Sequence, residues 1–232
     1  TQLNATANTA GSFSYTPAAG TVMNTAGTQT LSVSFAPTDA NYTSATASVI
    51  LSVVAKQVPT ITWAAPAAIT YGTALGTAQL NATANVAGTF AYTPAAGTVL
   101  NAGTQTLSVT FTPTDTATYT TATKTVTLTV NPAAATVTLA GLTATYDGTA
   151  KTVTATTNPA GKTVSITYAG STTAPTAAGS YAVVATVADP NYTGSATGTL
   201  VIAKATSTIT WATPTAVPVG TALSSTQLNA TA

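Results

Sequence analysis

The sequence predicts an all-β chain made of tandem antiparallel β-sandwich modules that follow one another as an elongated rod. Three observations carry this. First, short runs alternate apolar and polar residues with a period of two, as in TQTLSVTF at 104–111, where Leu107, Val109 and Phe111 share one face. Second, these runs are bounded by turn chemistry: AGT at 96–98, NAG at 101–103, NPAG at 158–161 and AAG at 177–179. Third, whole words recur, with TQLNATA at 1–7 and again at 226–232, and AQLNATA at 78–84. A fixed period of this kind is the mark of a modular, quasi-linear architecture.

The composition agrees with folded β structure. Only 4% of residues are charged and 45% are hydrophobic, whereas disordered chains combine low hydrophobicity with high net charge. Thr makes up about a quarter of the chain, and its β-branched side chain is stiff at χ1 and favoured in strands. A net charge of +1 leaves no electrostatic footprint for nucleic acid. No apolar run approaches the roughly 20 residues of a membrane span. With no Cys, each module is held by burial and ladder hydrogen bonds alone, a modest resource at about 75 residues.

Taken in order, residues 1–57 form a module that lacks its first strands. Residues 58–132 are a complete module, whose segment AQLNATANVAGTFAYTPAAGTVL lies over TQLNATANTAGSFSYTPAAGTVM of the first. Residues 133–204 are a divergent copy, and residues 205–232 carry the first strands of the next, since ITWATPTAVPVGTAL matches ITWAAPAAITYGTAL at 61–75. The tail therefore supplies the words that the first copy lacks. The expectation is that the first copy is completed by a preceding copy of the tail. Covalent continuity in a longer array is favoured, because a repeated TQLNATA is redundant if one strand is donated between chains; strand donation is the alternative, and would build a head-to-tail polymer.

Catalysis fails on inventory. There is no His, Cys, Glu or Arg, and the four Asp (Asp39, Asp115, Asp147 and Asp189) are spread through the chain, so acid/base pairs, thiolate nucleophiles and zinc ligand sets are missing. No catalytic residue, cofactor or metal site is expected. Asp39, Asp115 and Asp189 precede Tyr42, Tyr119 and Tyr192 in the last hairpin of each copy. They read as Asx-type turns with a Tyr that covers the end of the core, since turns repeat in every copy. Trp63 and Trp211 occupy the same place in ITW. They read as module-junction aromatics packed against the preceding unit, in preference to exposed sugar-stacking rings. Lys124 reads as an edge lysine that discourages strand addition, with an intramolecular isopeptide bond as the alternative.

The hairpin words GTQTLSVTFTPTDTATYTTATKTVTLTV, GTQTLSVSFAPTDANYTSATASVILSVV and GSYAVVATVADPNYTGSATGTLVIAK resemble the bacterial Ig-like repeats of large surface and secreted proteins. LTATYDGTAKTVTATTNPAGKTVSITYAG at 142–170 is similar to the MBG subgroup. The resemblance implies an Ig-like fold, an extracellular or cell-surface location and a spacing, stalk or adhesive role. Calcium at module junctions, common in such domains, is not expected here, because Ca²⁺ takes six to eight oxygen ligands and each copy has at most two Asp.

The leading functional expectation is a non-catalytic structural rod, stalk or filament segment whose partners are neighbouring copies of itself. An adhesin that binds a host surface or polysaccharide is the alternative, and ice binding through Thr ladders a minor one, disfavoured by the twist of a sandwich sheet.

Overall fold

The computed structural model describes residues 2–232; Thr1, the first letter of the repeated TQLNATA, lies outside the described residues. Every regular element among them is a strand. In chain order, β1 (Gly11–Thr16), β2 (Gly27–Pro37) and β3 (Ala45–Val53) form a three-stranded sheet. Next come β4 (Ile61–Thr62), β5 (Ile69–Thr70), β6 (Thr83–Ala84), β7 (Gly88–Thr93), β8 (Gly103–Pro113) and β9 (Ala122–Asn131). Of these, β4 pairs with β6, and the others form a sheet in the order β5-β9-β8-β7. The remaining strands are β10 (Ala133–Ala134), β11 (Thr136–Ala140), β12 (Thr143–Thr145), β13 (Thr154–Asn158), β14 (Val164–Tyr168), β15 (Gly179–Val187), β16 (Tyr192–Thr193) and β17 (Ser195–Ala203). They form the pairs β10-β16 and β11-β13 and a sheet in the order β12-β17-β15-β14.

The chain divides into two compact units. The first comprises Thr1–Pro66, Gly76–Ala96 and Thr106–Thr127, and the second Ala67–Leu75, Gly97–Gln105 and Leu128–Ala232.

In the first unit the period-two alternation sets the core. Leu107, Val109 and Phe111 are fully buried while Thr110 and Thr112 face solvent, which is what one buried face of a pleated strand requires. Phe90 stands opposite Phe111 and Phe13 opposite Phe35, each with ring centroids 4.8 Å apart. These rings lie over Gly88 and Gly11, where a Cβ would run into the ring and the neighbouring backbone carbonyl. The glycines therefore admit the aromatic pair.

In the second unit the pair β11-β13 covers the sheet β12-β17-β15-β14. Val153, Tyr168, Val183, Leu200 and Ile202 are buried between them, with Leu139 and Leu142 packed against the cluster. The Tyr168 hydroxyl accepts from Val153 N–H at 2.9 Å. In the first unit Tyr92 does the same for Ala82 at 2.9 Å and Tyr15 for Ala5 at 3.1 Å. A buried Tyr needs such a partner for its polar end.

The long strands pair antiparallel, as the alternation predicts. Three short pairings are parallel: β5 on β9, β12 on β17 and β10 on β16. At two or three residues these segments are too short to carry a period.

Candidate functional site

With no cluster of catalytic side chains to build on, the recurrent feature is the Asp/Tyr hairpin loop. In each copy the carboxylate closes its own turn. Asp39 Oδ1 accepts from Asn41 N–H at 2.9 Å, Asp115 Oδ1 from Ala117 and Thr118 N–H at 3.0 and 3.1 Å, and Asp189 Oδ1 from Asn191 N–H at 2.9 Å. These are Asx-type turns, with the side chain mimicking a backbone acceptor. Hydrogen bonds from the Thr118 side chain, and then its backbone, hold the Asp115 carboxyl below its ordinary value. Asp147, outside these loops, is pushed far lower by Lys151 first and Thr149 second.

Two of the loops also seat backbone at a copy boundary. In the first unit Gln57 N–H donates to Thr118 O at 2.8 Å, Thr120 N–H donates back to Gln57 O at 2.9 Å, and Lys56 Nζ donates to Thr116 O. In the second unit Ala133 N–H donates to Asn191 O at 2.9 Å and Ala135 N–H to Thr193 O at 2.8 Å. There Tyr192 lies edge-on to Tyr71, centroids 5.3 Å apart, and Lys162 Nζ sits 4.0 Å from the Tyr192 ring centroid, within cation–π range. Lys162 Nζ is also 3.9 Å from Asp189. Asn191 Oδ1 accepts from Ala102 N–H at 2.7 Å.

Main-chain hydrogen bonds at Gln57 thus join the first loop to the preceding copy, and Asn191 and Tyr192 reach the preceding copy at Ala102 and Tyr71, while Ala133 and Ala135 lie in the loop's own copy. Sequence reasoning placed the Asp and Tyr residues in turns but missed the seat, because the incoming strands at Gln57 and Ala133–Ala134 are one or two residues long. The third loop, at Asp39 and Tyr42, carries no incoming backbone among the described residues, and Tyr42 is 50% exposed.

Trp63 is 4% exposed, and its indole N–H donates to Gln79 O at 3.0 Å. Its ring lies edge-on to Tyr92, centroids 5.5 Å apart. The sequence reading set this ring against the preceding copy; it lies instead against a tyrosine of its own copy, because β4 folds over the sheet that follows it. Trp211 donates to Gln227 O at 2.9 Å but is 56% exposed. Lys124 is turned inward, donating from Nζ to Ile61 O at 3.1 Å, so it caps β4.

No group of three His, Cys, Asp or Glu side chains suited to a metal ion occurs among the described residues. No helix among them is long and apolar enough to cross a membrane.

Family comparison adds one assignment. Residues 135–206 match the MBG domain. The segment covers β11 to β17, the copy that the sequence sets apart as divergent. No curated protein matches the chain. Among solved structures, PcdhgB3 EC1-4 aligns at 16% identity and a TM-score of 0.29, over 77% of this chain and 58% of that one. The protocadherin gammaB7 EC3-6 cis-dimer structure aligns at 15% and 0.33, over 84% and 61%. The protocadherin gammaB4 extracellular domain aligns at 17% and 0.34, over 79% and 40%. The chain thus spans less than two thirds of each of these structures.

Proposed function

We propose that this chain is a segment of a non-catalytic extracellular spacer, a stalk or filament of bacterial Ig-like repeats, in which residues 58–132 and 133–204 are modules and residues 1–57 and 205–232 are parts of two more. The observation that carries this reading is the linker seat. At two successive boundaries the next copy's hairpin loop is hydrogen-bonded to the copy before it, at Gln57 with Thr118 and Thr120 and at Ala102 with the Asn191 side chain, and Ala133 and Ala135, the first residues past the second boundary, are held by Asn191 and Thr193. A linker held in this way has little freedom to swing, which suits a semi-rigid spacer better than a flexible tether. The MBG match supports the module type. In this reading the loop residues Asp39, Tyr42, Asp115, Tyr119, Asp189 and Tyr192 are structural, and so are Trp63 and Trp211.

Catalysis has no support in the side-chain inventory. An adhesive role would call for loops that differ between copies, whereas TPAAGTVM and TPAAGTVL are nearly identical. Negative-stain microscopy of the native material tests the reading. Thin beaded rods or filaments are expected; compact particles without linear repeats would contradict it.

A further inference from the structure

We infer that the boundary between the middle and third copies is a keyed joint, in which the Asn191 side chain fastens the third copy's hairpin loop to the middle copy, and that the boundary ahead of the middle copy lacks this key. This rests on the spacer reading and deepens it: an array built so has joints of two grades of stiffness.

An asparagine has four polar groups to place, the backbone N–H and C=O and the carbonyl and NH2 of its carboxamide. Asn191 uses all four, in three directions. Its N–H donates to Asp189 Oδ1 at 2.9 Å and closes the Asx-type turn. Its C=O accepts from Ala133 N–H at 2.9 Å and holds the first residues of its own copy. Its carboxamide leaves the copy altogether. Oδ1 accepts from Ala102 N–H at 2.7 Å, and Nδ2 donates to Asn101 Oδ1 at 3.3 Å. Both partners lie at the turn that opens β8 of the middle copy.

The turn itself does not need this carboxamide. The residue before the loop tyrosine is Asn191 in the third copy and Thr118 in the middle copy. There the turn closes on main-chain donors, with Asp115 Oδ1 accepting from Ala117 and Thr118 N–H at 3.0 and 3.1 Å. A threonine hydroxyl lacks the paired acceptor and NH2 donor of a carboxamide. The boundary ahead of the middle copy is held instead by the Gln57 backbone and by Lys56 Nζ, which donates to Thr116 O. Both residues lie past the end of β3 at Val53. They therefore tie the connecting chain, not a folded turn of the copy before it.

Aromatic and charged groups enclose the key. Tyr192, next to Asn191, stands edge-on to Tyr71 of the middle copy, centroids 5.3 Å apart. Tyr71 is fixed in turn, its N–H donating to Asn131 O at 2.8 Å at the end of β9. On the other side of the Tyr192 ring, Lys162 Nζ lies 4.0 Å from the centroid and 3.9 Å from the Asp189 carboxylate. The Lys162 and Asp189 side chains are only 22 and 25% exposed, and partial removal from water strengthens a cation–π contact. Two separate segments of the middle copy, at Tyr71 and at Asn101 with Ala102, thus meet one loop of the third. Attachment at two separated points restrains rotation as well as distance, which a tied linker alone does not.

The test is the distance distribution between two spin labels in the full chain, read by double electron–electron resonance. The chain has no Cys, so Thr104→Cys and Thr199→Cys, both at exposed positions, place one label on each side of the joint. With Asn191 in place a narrow distribution is expected. Asn191→Ala removes the carboxamide and keeps the N–H that closes the turn; Asn191→Thr writes in the middle copy's residue. Each variant is expected to broaden the distribution and to speed hydrogen exchange at Ala102 N–H about tenfold, as loss of one intramolecular hydrogen bond does. Exchange in β15 and β17 is expected to stay unchanged. A distribution already broad with Asn191 present, or one that either variant leaves narrow, would overturn the inference. Lost protection in β15 and β17 would overturn it too, since the carboxamide would then serve the fold of its own copy. Failure here is distinguishable from failure of the spacer reading. A broad distribution in chains that still form beaded rods removes the key and leaves the spacer, whereas compact particles remove the spacer whatever the labels report.

Discussion

Trp63 donates its indole N–H to the Gln79 carbonyl at 3.0 Å, closing a loop of the chain on itself while its ring stands edge-on to Tyr92. The same bond joins Trp211 to Gln227 at 2.9 Å without a sandwich beneath it. The hydrogen bond is therefore a local property of the repeated word, and the burial of the ring is a property of the packed copy.

That separation gives the first prediction. Trp63→Ala removes a ring that is 4% exposed and should cost about 3–5 kcal/mol, the range for deleting a buried Trp. Trp211→Ala removes a ring that is 56% exposed and should change the stability of the monomeric chain by less than about 1 kcal/mol. Urea unfolding of the two variants, at a concentration where the wild type is monomeric, checks both.

Leu51 and Leu128 occupy the same place in β3 and β9, and their burial distinguishes them. Leu128 is fully buried whereas Leu51 is half-buried. Leu128→Ala should cost about 2–5 kcal/mol, and Leu51→Ala should fall below that range because less apolar surface leaves contact. The comparison is read from paired denaturation curves.

Gly194 lies against the incoming backbone of the second unit, where a Cβ would run into the Ala135 carbonyl. Gly194→Ala should therefore loosen the bond from Ala135 N–H to Thr193 O while leaving the Leu200 core in place. Hydrogen exchange is expected to show lost protection at Ala135 and unchanged protection in β15 and β17.

The pH dependence follows from the carboxylates. Asp115 and Asp147 have folded-state values below their unfolded ones, so the stability they contribute is present above the unfolded value near 4 and is lost as pH falls through the folded value. The chain has no His, the side chain whose ordinary value lies in the middle range. The unfolding midpoint should stay flat from about pH 5 to 9 and decline only below about pH 4. A shift of many degrees within the flat range would contradict this.

The strand content was readable because Leu107, Val109 and Phe111 alternate with Ser and Thr over a run long enough to have a period. The position of the Asp115 and Tyr119 turn was readable from its recurrence. Its partner was not: Gln57 makes a one-residue bridge to Tyr119, and a bridge of that length leaves no pattern. The same applies to β5, whose Ile69 and Thr70 pair with Val130 and Asn131. Lys124 misled because its acceptor, the Ile61 carbonyl, is 63 residues away. Trp63 misled because its proximity to a copy boundary in sequence says nothing about which side of the boundary its ring takes.

Single-molecule force extension of the chain, pulled from its ends, tests the modular reading most directly. Two complete copies of about 75 residues should each release about 25 nm of contour length, at up to about 3.6 Å per residue, in separate and nearly equal steps. A single step that releases the whole chain at once, or a featureless extension without steps, would contradict it.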